Sequence, residues 1–208
     1  MSDSPHRRMP EHFSNEKDGH MISITELLLP AFLSGVCVFL VSSLVHMLLP
    51  IHKGDFAALP GETKIREAMR SQGVKPGSYM IPCPGSMKEM GTPEHVAKLE
   101  EGPVGILTVV PNGPTRFGRQ LAIWFTFCVI VSVFVAYLTA IKTAAGSSGM
   151  EVFRPTFIAA FLAFGLTNVT DSIWKGVSWI TTGKFLFDGA LYALTSALIF
   201  QWLWPIAS

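Results

Sequence analysis

Residues 44–56 read LVHMLLPIHKGDF, and the fold turns on how that stretch is read. An apolar run that opens near Thr25 carries His46 inside it, is stopped by Pro50, and gives way to His52, Lys53 and Asp55. Proline lacks an N–H and clashes with the preceding turn, so a helix ends there. Working back from Pro50, no Asp, Glu, Lys or Arg occurs from Leu27 to His52. A helix needs about 20 mostly apolar residues to cross the hydrocarbon core of a bilayer, and this run supplies them.

The same charge-free pattern recurs from Gln120 to Ile141, from Pro155 to Thr170 and from Gly189 to Ser208. Charged residues make up 15% of the chain, against about 25% in an ordinary soluble domain, so there is too little charge to cover a soluble surface. The expected fold is therefore an all-α integral membrane protein. It has four transmembrane helices and a small α+β extramembrane loop domain between helices 1 and 2. The predicted spans are 25–50, 119–142, 153–174 and 184–205. Trp124, Trp174, Trp179, Trp202 and Trp204 fall near the predicted helix ends, as an aromatic belt requires.

The stretch at 1–24 reads as a polar, disordered tail and not as a cleavable signal peptide, because the apolar run behind it is too long for a signal core. Met21 opens MISITELLLP as a natural start, which leaves residues 1–20 open to being an upstream extension. Thr25 is the expected N-cap of the first helix, with Glu26 in its first turn. The polar segment at 51–118 reads as helix, strand, helix, strand. GETKIREAMRSQGV is helical with Gly73 at its end, and GSYMIP is a short strand. TPEHVAKLEEG places Thr92 at an N-cap and Pro93 at the first helical position, and GILTVVP is a β-branched strand. With few large apolar side chains, this segment is expected to lean on the membrane helices for stability.

Lys and Arg concentrate on 51–118 and the turn near 173–183, with Arg7, Arg8, Lys17, Lys142 and Arg154 on the other side. The positive-inside rule then puts the 51–118 loop in the cytoplasm and both termini in the periplasm. A net charge of +1 gives no reason to expect a nucleic-acid partner. The expected partners are the lipid bilayer and either a second copy of the chain or another membrane protein.

Helices in lipid meet through small residues, because lipid tails are as apolar as leucine. Ala159, Ala163 and Thr167 step by four along helix 3, as do Gly189, Ala193 and Ala197 along helix 4, so these two faces are expected to pack together. The same hairpin carries Asn168, Asp171, Lys175, Lys184, Asp188 and Tyr192. Asp171 and Asp188 are nearly equidistant from the turn and are expected at similar depth. Lys175 and Lys184 are each spaced to pair with the aspartate on their own helix. This set reads either as a polar pocket or proton path, or as an interfacial charge cluster that pins the hairpin. The second reading is favoured, because on these boundaries neither aspartate nears the bilayer centre.

His46 and His52 are six residues apart across a proline, a spacing that fixes no two-point geometry, so they read first as interfacial residues. A soft-metal reading adds Met80, Cys83, Met87, Met90 and His95, a composition suited to Cu(I). Their spacings are irregular, and methionine is more often a gap filler. Cys37, Cys83 and Cys128 are far apart and form no CxxC or disulfide framework. No GxSxG, Walker A or HExxH occurs, so no enzyme class is indicated and no cofactor is expected.

With these landmarks in place, the chain resembles a family of small bacterial four-span inner-membrane proteins. The resemblance is carried by LVHMLLPIHKGDF, LPGETKIREAM, PGSYMIP, GPVGILTVVPNGP, VFRPTFIAAFLAFG, DSIWKGVSW and FDGALYALTSALIFQWLWP, from about Met21 to Pro205. It implies a bacterial inner-membrane location and four spans, and it implies no activity. Three functions are carried forward. The first is a structural or accessory membrane component that acts through helix or loop contacts. The second is a small oligomeric transporter or channel subunit using the polar set on helices 3 and 4. The third is a soft-metal or redox handler.

Overall fold

A computed structural model of the protein describes residues 22–206, so the expectations about the tail fall almost wholly outside it. Four helical stretches are long and apolar enough to cross a membrane: Ile24–Leu48, Phe117–Lys142, Gly149–Lys175 and Trp179–Leu203. In chain order the elements are α1 (Ile24–Leu48), α2 (Glu62–Ser71), β1 (Gly77–Ile81), α3 (Pro93–Glu101), β2 (Gly105–Val109), α4 (Phe117–Lys142), α5 (Gly149–Phe164), α6 (Val169–Lys175) and α7 (Trp179–Leu203). Short 3-10 turns cover Pro50–His52, Glu89–Gly91 and Leu166–Asn168.

The cap of α1 is Ser23, not Thr25. Its hydroxyl accepts from the Glu26 N–H, and the Glu26 carboxylate accepts from the Ser23 N–H at 2.8 Å. This reciprocal capping box satisfies two otherwise orphaned donors. The helix stops where expected, at the residues before Pro50.

α1 packs on α4 and α7, and α5 packs on the same two neighbours, giving a ring of four antiparallel helices. Its interior mixes apolar side chains such as Val38, Val135 and Phe200 with small and hydroxyl ones. Ser132 Oγ donates to Ser34 Oγ at 3.2 Å, and Ser34 Oγ donates to Ser196 Oγ at 3.0 Å, which ties α4, α1 and α7 together. Thr139 and Thr156 share a hydrogen bond at 3.1 Å between α4 and α5. Leu28, Leu29, Phe32, Leu40, Ile130, Phe134, Ile158 and Leu198 point outward and are exposed. Bulky apolar groups outside and small ones among those inside are what close helix packing in lipid demands.

Glycine sets the closest approach. A Cβ on Gly189 would lie 2.2 Å from the Gly165 Cα, so α5 and α7 touch backbone to backbone there. Gly189, Ala193 and Ala197 are all buried, as the small-residue face of α7 predicts. The facing stripe on α5 is different from the expected one. Val152, Thr156, Ala160 and Phe164 are buried, Ala159 and Ala163 are half-buried, and Thr167 is exposed.

A second correction concerns the residues that follow. The predicted continuous helix over 153–174 is broken at Gly165, where a 3-10 turn intervenes before α6. The Asn168 side-chain amide donates to the Phe164 and Gly165 carbonyls at 3.0 and 2.9 Å, taking acceptors that the break leaves over. Asparagine competes with the helical ladder in this way. α6 ends at Gly176, whose φ of 69° is the left-handed cap glycine adopts freely. Ser178 then caps α7 by accepting from the Ile180 N–H. α7 therefore starts five residues earlier than the span predicted at 184.

The segment between α1 and α4 has the predicted element order, and β1 pairs antiparallel with β2 from Gly77↔Val109 to Ile81↔Gly105. Thr92 caps α3 and Gly102 ends it. The expectation that this segment leans on the membrane helices is not met. Between residues 57 and 116 only His95 is buried, and neither α2, α3 nor the strands pack substantially on the four long helices.

Candidate cation site

Pro50 opens the 3-10 turn that follows α1 and folds the chain back on the helix end. The fold-back gives His46 and His52 the fixed geometry that their spacing alone does not. Their rings stack with centroids 4.3 Å apart and 6° between planes. The turn also delivers Asp55 to the same place. His52 Nδ1 lies 2.7 Å from Asp55 Oδ2, and Lys184 of α7 donates to Asp55 Oδ1.

Lys184 therefore pairs across the bundle and not along its own helix with Asp188. Its predicted counterpart does pair locally, with Lys175 Nζ 2.7 Å from Asp171 Oδ1. The Lys184 ammonium and the His52 ring hold the Asp55 carboxyl below its usual value of 3.8, the lysine hydrogen bond being the larger cause.

Asp188 lies nine residues along α7 from Trp179. At 1.5 Å per residue, that is about 13 Å from the helix start. Asp171, by contrast, lies four residues from the end of α6 with its side chain 43% exposed. The two aspartates do not share a depth, because α7 begins earlier than its charge pattern suggests. Asp188 is 1% exposed. Its Oδ2 faces His52 Nε2 at 2.8 Å and His46 Nε2 at 3.7 Å. Its Oδ1 is buried without a hydrogen-bond partner among the described residues.

Tautomers follow from the outer partners. His46 Nδ1 is 3.0 Å from the Ser42 carbonyl oxygen, an acceptor only, so Nδ1 carries the proton. The Tyr192 hydroxyl approaches the same nitrogen at a longer 3.5 Å. His52 Nδ1 likewise faces a carboxylate. His52 Nε2 faces one too, 2.8 Å from Asp188 Oδ2, so that ring donates at both ends when it carries two protons; with Nδ1 alone protonated, each Nε2 turns a lone pair towards Asp188. Three acceptors pointing at one another repel unless a proton or a metal cation lies between them. With both imidazoles neutral and both carboxylates ionised, Asp55, Asp188 and Lys184 leave the cluster one more negative charge than positive.

Beside the cluster lies a cavity of about 480 Å³ between α1, α4, α5 and α7. His46, Asp188, Tyr192, Ser42, Gln120 and Asn168 give it polar points on walls made by Leu121, Trp124, Phe127, Phe164 and Phe185. Trp124 is not a belt residue. Its indole N–H donates to Ser42 Oγ at 2.8 Å inside this region. Trp124 is half-buried; Trp204 is buried, donating to the Ala144 carbonyl, whereas Trp174, Trp179 and Trp202 are exposed as a belt requires.

The sequence-predicted sets are thus regrouped. From the soft-metal set, His46 and His52 come together with Asp188, with ligand atoms within 4.8 Å of one another. Met80, Met87 and Met90 are exposed, the exposed Cys83 thiol contacts the Pro84 carbonyl, and neither Cys83 nor His95 joins that group. From the polar set, Lys184, Asp188 and Tyr192 belong to the cluster. Asn168 lines the cavity, and Asp171 with Lys175 forms a separate exposed pair. Asp55 was not singled out in the sequence; its proximity to His52 was the available signal.

No protein-family model, no curated protein and no solved structure matches the chain.

Proposed function

We propose that the protein is a small membrane carrier or channel subunit that takes up a cation at the His46–His52–Asp188 cluster. One observation carries this reading: a carboxylate 1% exposed, well inside a membrane-length helix, faces the Nε2 atoms of two imidazoles and keeps one oxygen unpartnered among the described residues. Ionisable groups held inside the membrane are expensive and generally serve ions or substrates. The adjoining cavity supplies an approach. Four helices are few for transport, so the reading includes a second copy of the chain. Its setting is a bacterial inner membrane with 51–118 in the cytoplasm and both termini in the periplasm.

The test is reconstitution into liposomes carrying pH-sensitive and zinc-sensitive dyes. The wild type is expected to move protons or divalent metal above the rate of empty liposomes, and Asp188→Asn to bring that rate down at least tenfold. Equal rates for the two proteins would end the proposal. A structural or accessory role is the second reading. It draws support from the extramembrane segment, where Met87 is 84% exposed and Val104 60%, a surface suited to a protein partner. It draws less from the small-residue face of α7, which is spent on packing within the chain.

A further inference from the structure

We propose that His46 Nε2, His52 Nε2 and the Asp188 carboxylate form a three-ligand site for a divalent first-row transition metal, with a fourth position facing the cavity. The proposal deepens the cation reading above and rests on it.

The donor set selects the class of ion. Two imidazoles and one carboxylate suit zinc and its first-row neighbours. Calcium and magnesium take oxygen ligands almost throughout, and Cu(I) prefers the sulfur that this cluster lacks. Geometry agrees. Zinc lies about 2.0–2.2 Å from nitrogen and oxygen ligands, which places tetrahedral ligand atoms roughly 3.3 Å apart. The Nε2-to-carboxylate separations of 2.8 and 3.7 Å bracket that value, and the two rings, stacked 6° from parallel, turn apart on binding so that both Nε2 atoms meet one ion.

The outer partners supply an independent argument. Metal-binding histidines generally donate their other ring N–H to a carbonyl or carboxylate, which fixes the tautomer and aims the lone pair. His46 does this with the Ser42 carbonyl and His52 with Asp55, which Lys184 in turn holds. In the Nδ1–H tautomer both histidines offer Nε2 as a ligand. The second independent sign is Asp188 Oδ1, buried with no partner among the described residues. A second carboxylate oxygen is what bidentate binding, or a hydrogen bond to a metal-bound water, would use. Three protein ligands with an open position is the arrangement of a site that exchanges or reacts, since structural zinc sites close all four.

The experiment is titration of the purified full chain, without a polyhistidine tag, with Zn2+ against a chromophoric chelator in mild detergent. Co2+ absorption reports the coordination. The expected result is one Zn2+ per chain and a tetrahedral Co2+ spectrum. Asp188→Asn and His46→Gln should abolish both, and Asp55→Asn should weaken binding about 10–100-fold through His52. His95→Ala, Cys83→Ser, and His6, His12 and His20 changed together to Ala should leave binding unaltered. Protection of the Cys128 thiol from labelling certifies that each variant is folded.

No Zn2+ on folded wild type, or undiminished binding in Asp188→Asn, overturns the metal site. If the same folded protein still moves protons in an Asp188-dependent way, the cation reading stands while the metal falls. Site-dependent Zn2+ binding without any flux establishes the site and removes the carrier.

Discussion

Replacing Gly189 by alanine tests the packing that holds the cluster in place. A Cβ at this position would lie 2.2 Å from the Gly165 Cα and 2.6 Å from its nitrogen. Carbon atoms rest at about 3.5–4.0 Å, so α5 and α7 must separate by roughly 1.5 Å or shift along each other. Both atoms in the clash belong to backbone, so no side-chain rotation relieves it. Overpacking of this kind destabilises by about 1–3 kcal/mol, and the backbone contact places Gly189→Ala at the upper end. Exchanging glycine for alanine inside a helix returns about 1 kcal/mol. The net loss is about 2 kcal/mol, or roughly a thirtyfold fall in the folded-to-unfolded ratio.

Gly183→Ala is the matched control, because nothing lies within 4 Å of a Cβ there and the residue is exposed. It receives the propensity gain without the clash. The assay uses Cys128, which is 0% exposed, as the single thiol in a Cys37→Ser, Cys83→Ser background. Its labelling rate in detergent then reports opening of the bundle. The expected order of protection is Gly183→Ala at or above the parent and Gly189→Ala well below it. Equal protection of the two alanine variants would refute the backbone contact and, with it, the seating of Asp188 one residue away.

The Asp55 carboxyl gives a pH prediction. Its value in the folded protein lies below 3.8 because of Lys184 first and His52 second. A depressed carboxyl stabilises fully above its unfolded value, and that contribution is lost as pH falls through the folded value. The melting midpoint should therefore drop on acidification below about 3.8. In Lys184→Met, which removes the larger cause, that component should shrink; parallel curves for the two proteins would count against the contact. Topology is read at Cys83, an exposed thiol in the 51–118 segment. An impermeant thiol reagent is expected to label it in inverted vesicles and not in intact cells, and labelling in intact cells would reverse the orientation.

The sequence by itself determined which stretches form helices long and apolar enough to cross a membrane. Charge-free runs of membrane length are a local property, and no tertiary contact is needed to read 120–141, or the run from Leu27 up to Pro50, as a long apolar helix. Pro50, Gly73, Thr92 and Gly102 likewise act on their own neighbours, which is why the element order of 51–118 was legible. The small-residue face at Gly189, Ala193 and Ala197 was also visible, because its four-residue step is a property of a single helix.

What the tertiary structure decided lies between helices. The break at Gly165 rotates the rest of the stripe away from the face that a continuous helix would present. The earlier start of α7, capped by Ser178, sets Asp188 nine residues into the helix, where it is buried against α1 and not paired with Lys184. His52 and Asp188 are 136 residues apart in the chain, and no local pattern records that meeting. A one-turn fold-back at Pro50 and the antiparallel seating of α1 on α7 turn two separated histidines and one aspartate into a single cluster. Helix formation is dictated by neighbours three and four residues away, whereas a cation site is made of residues that only packing brings together.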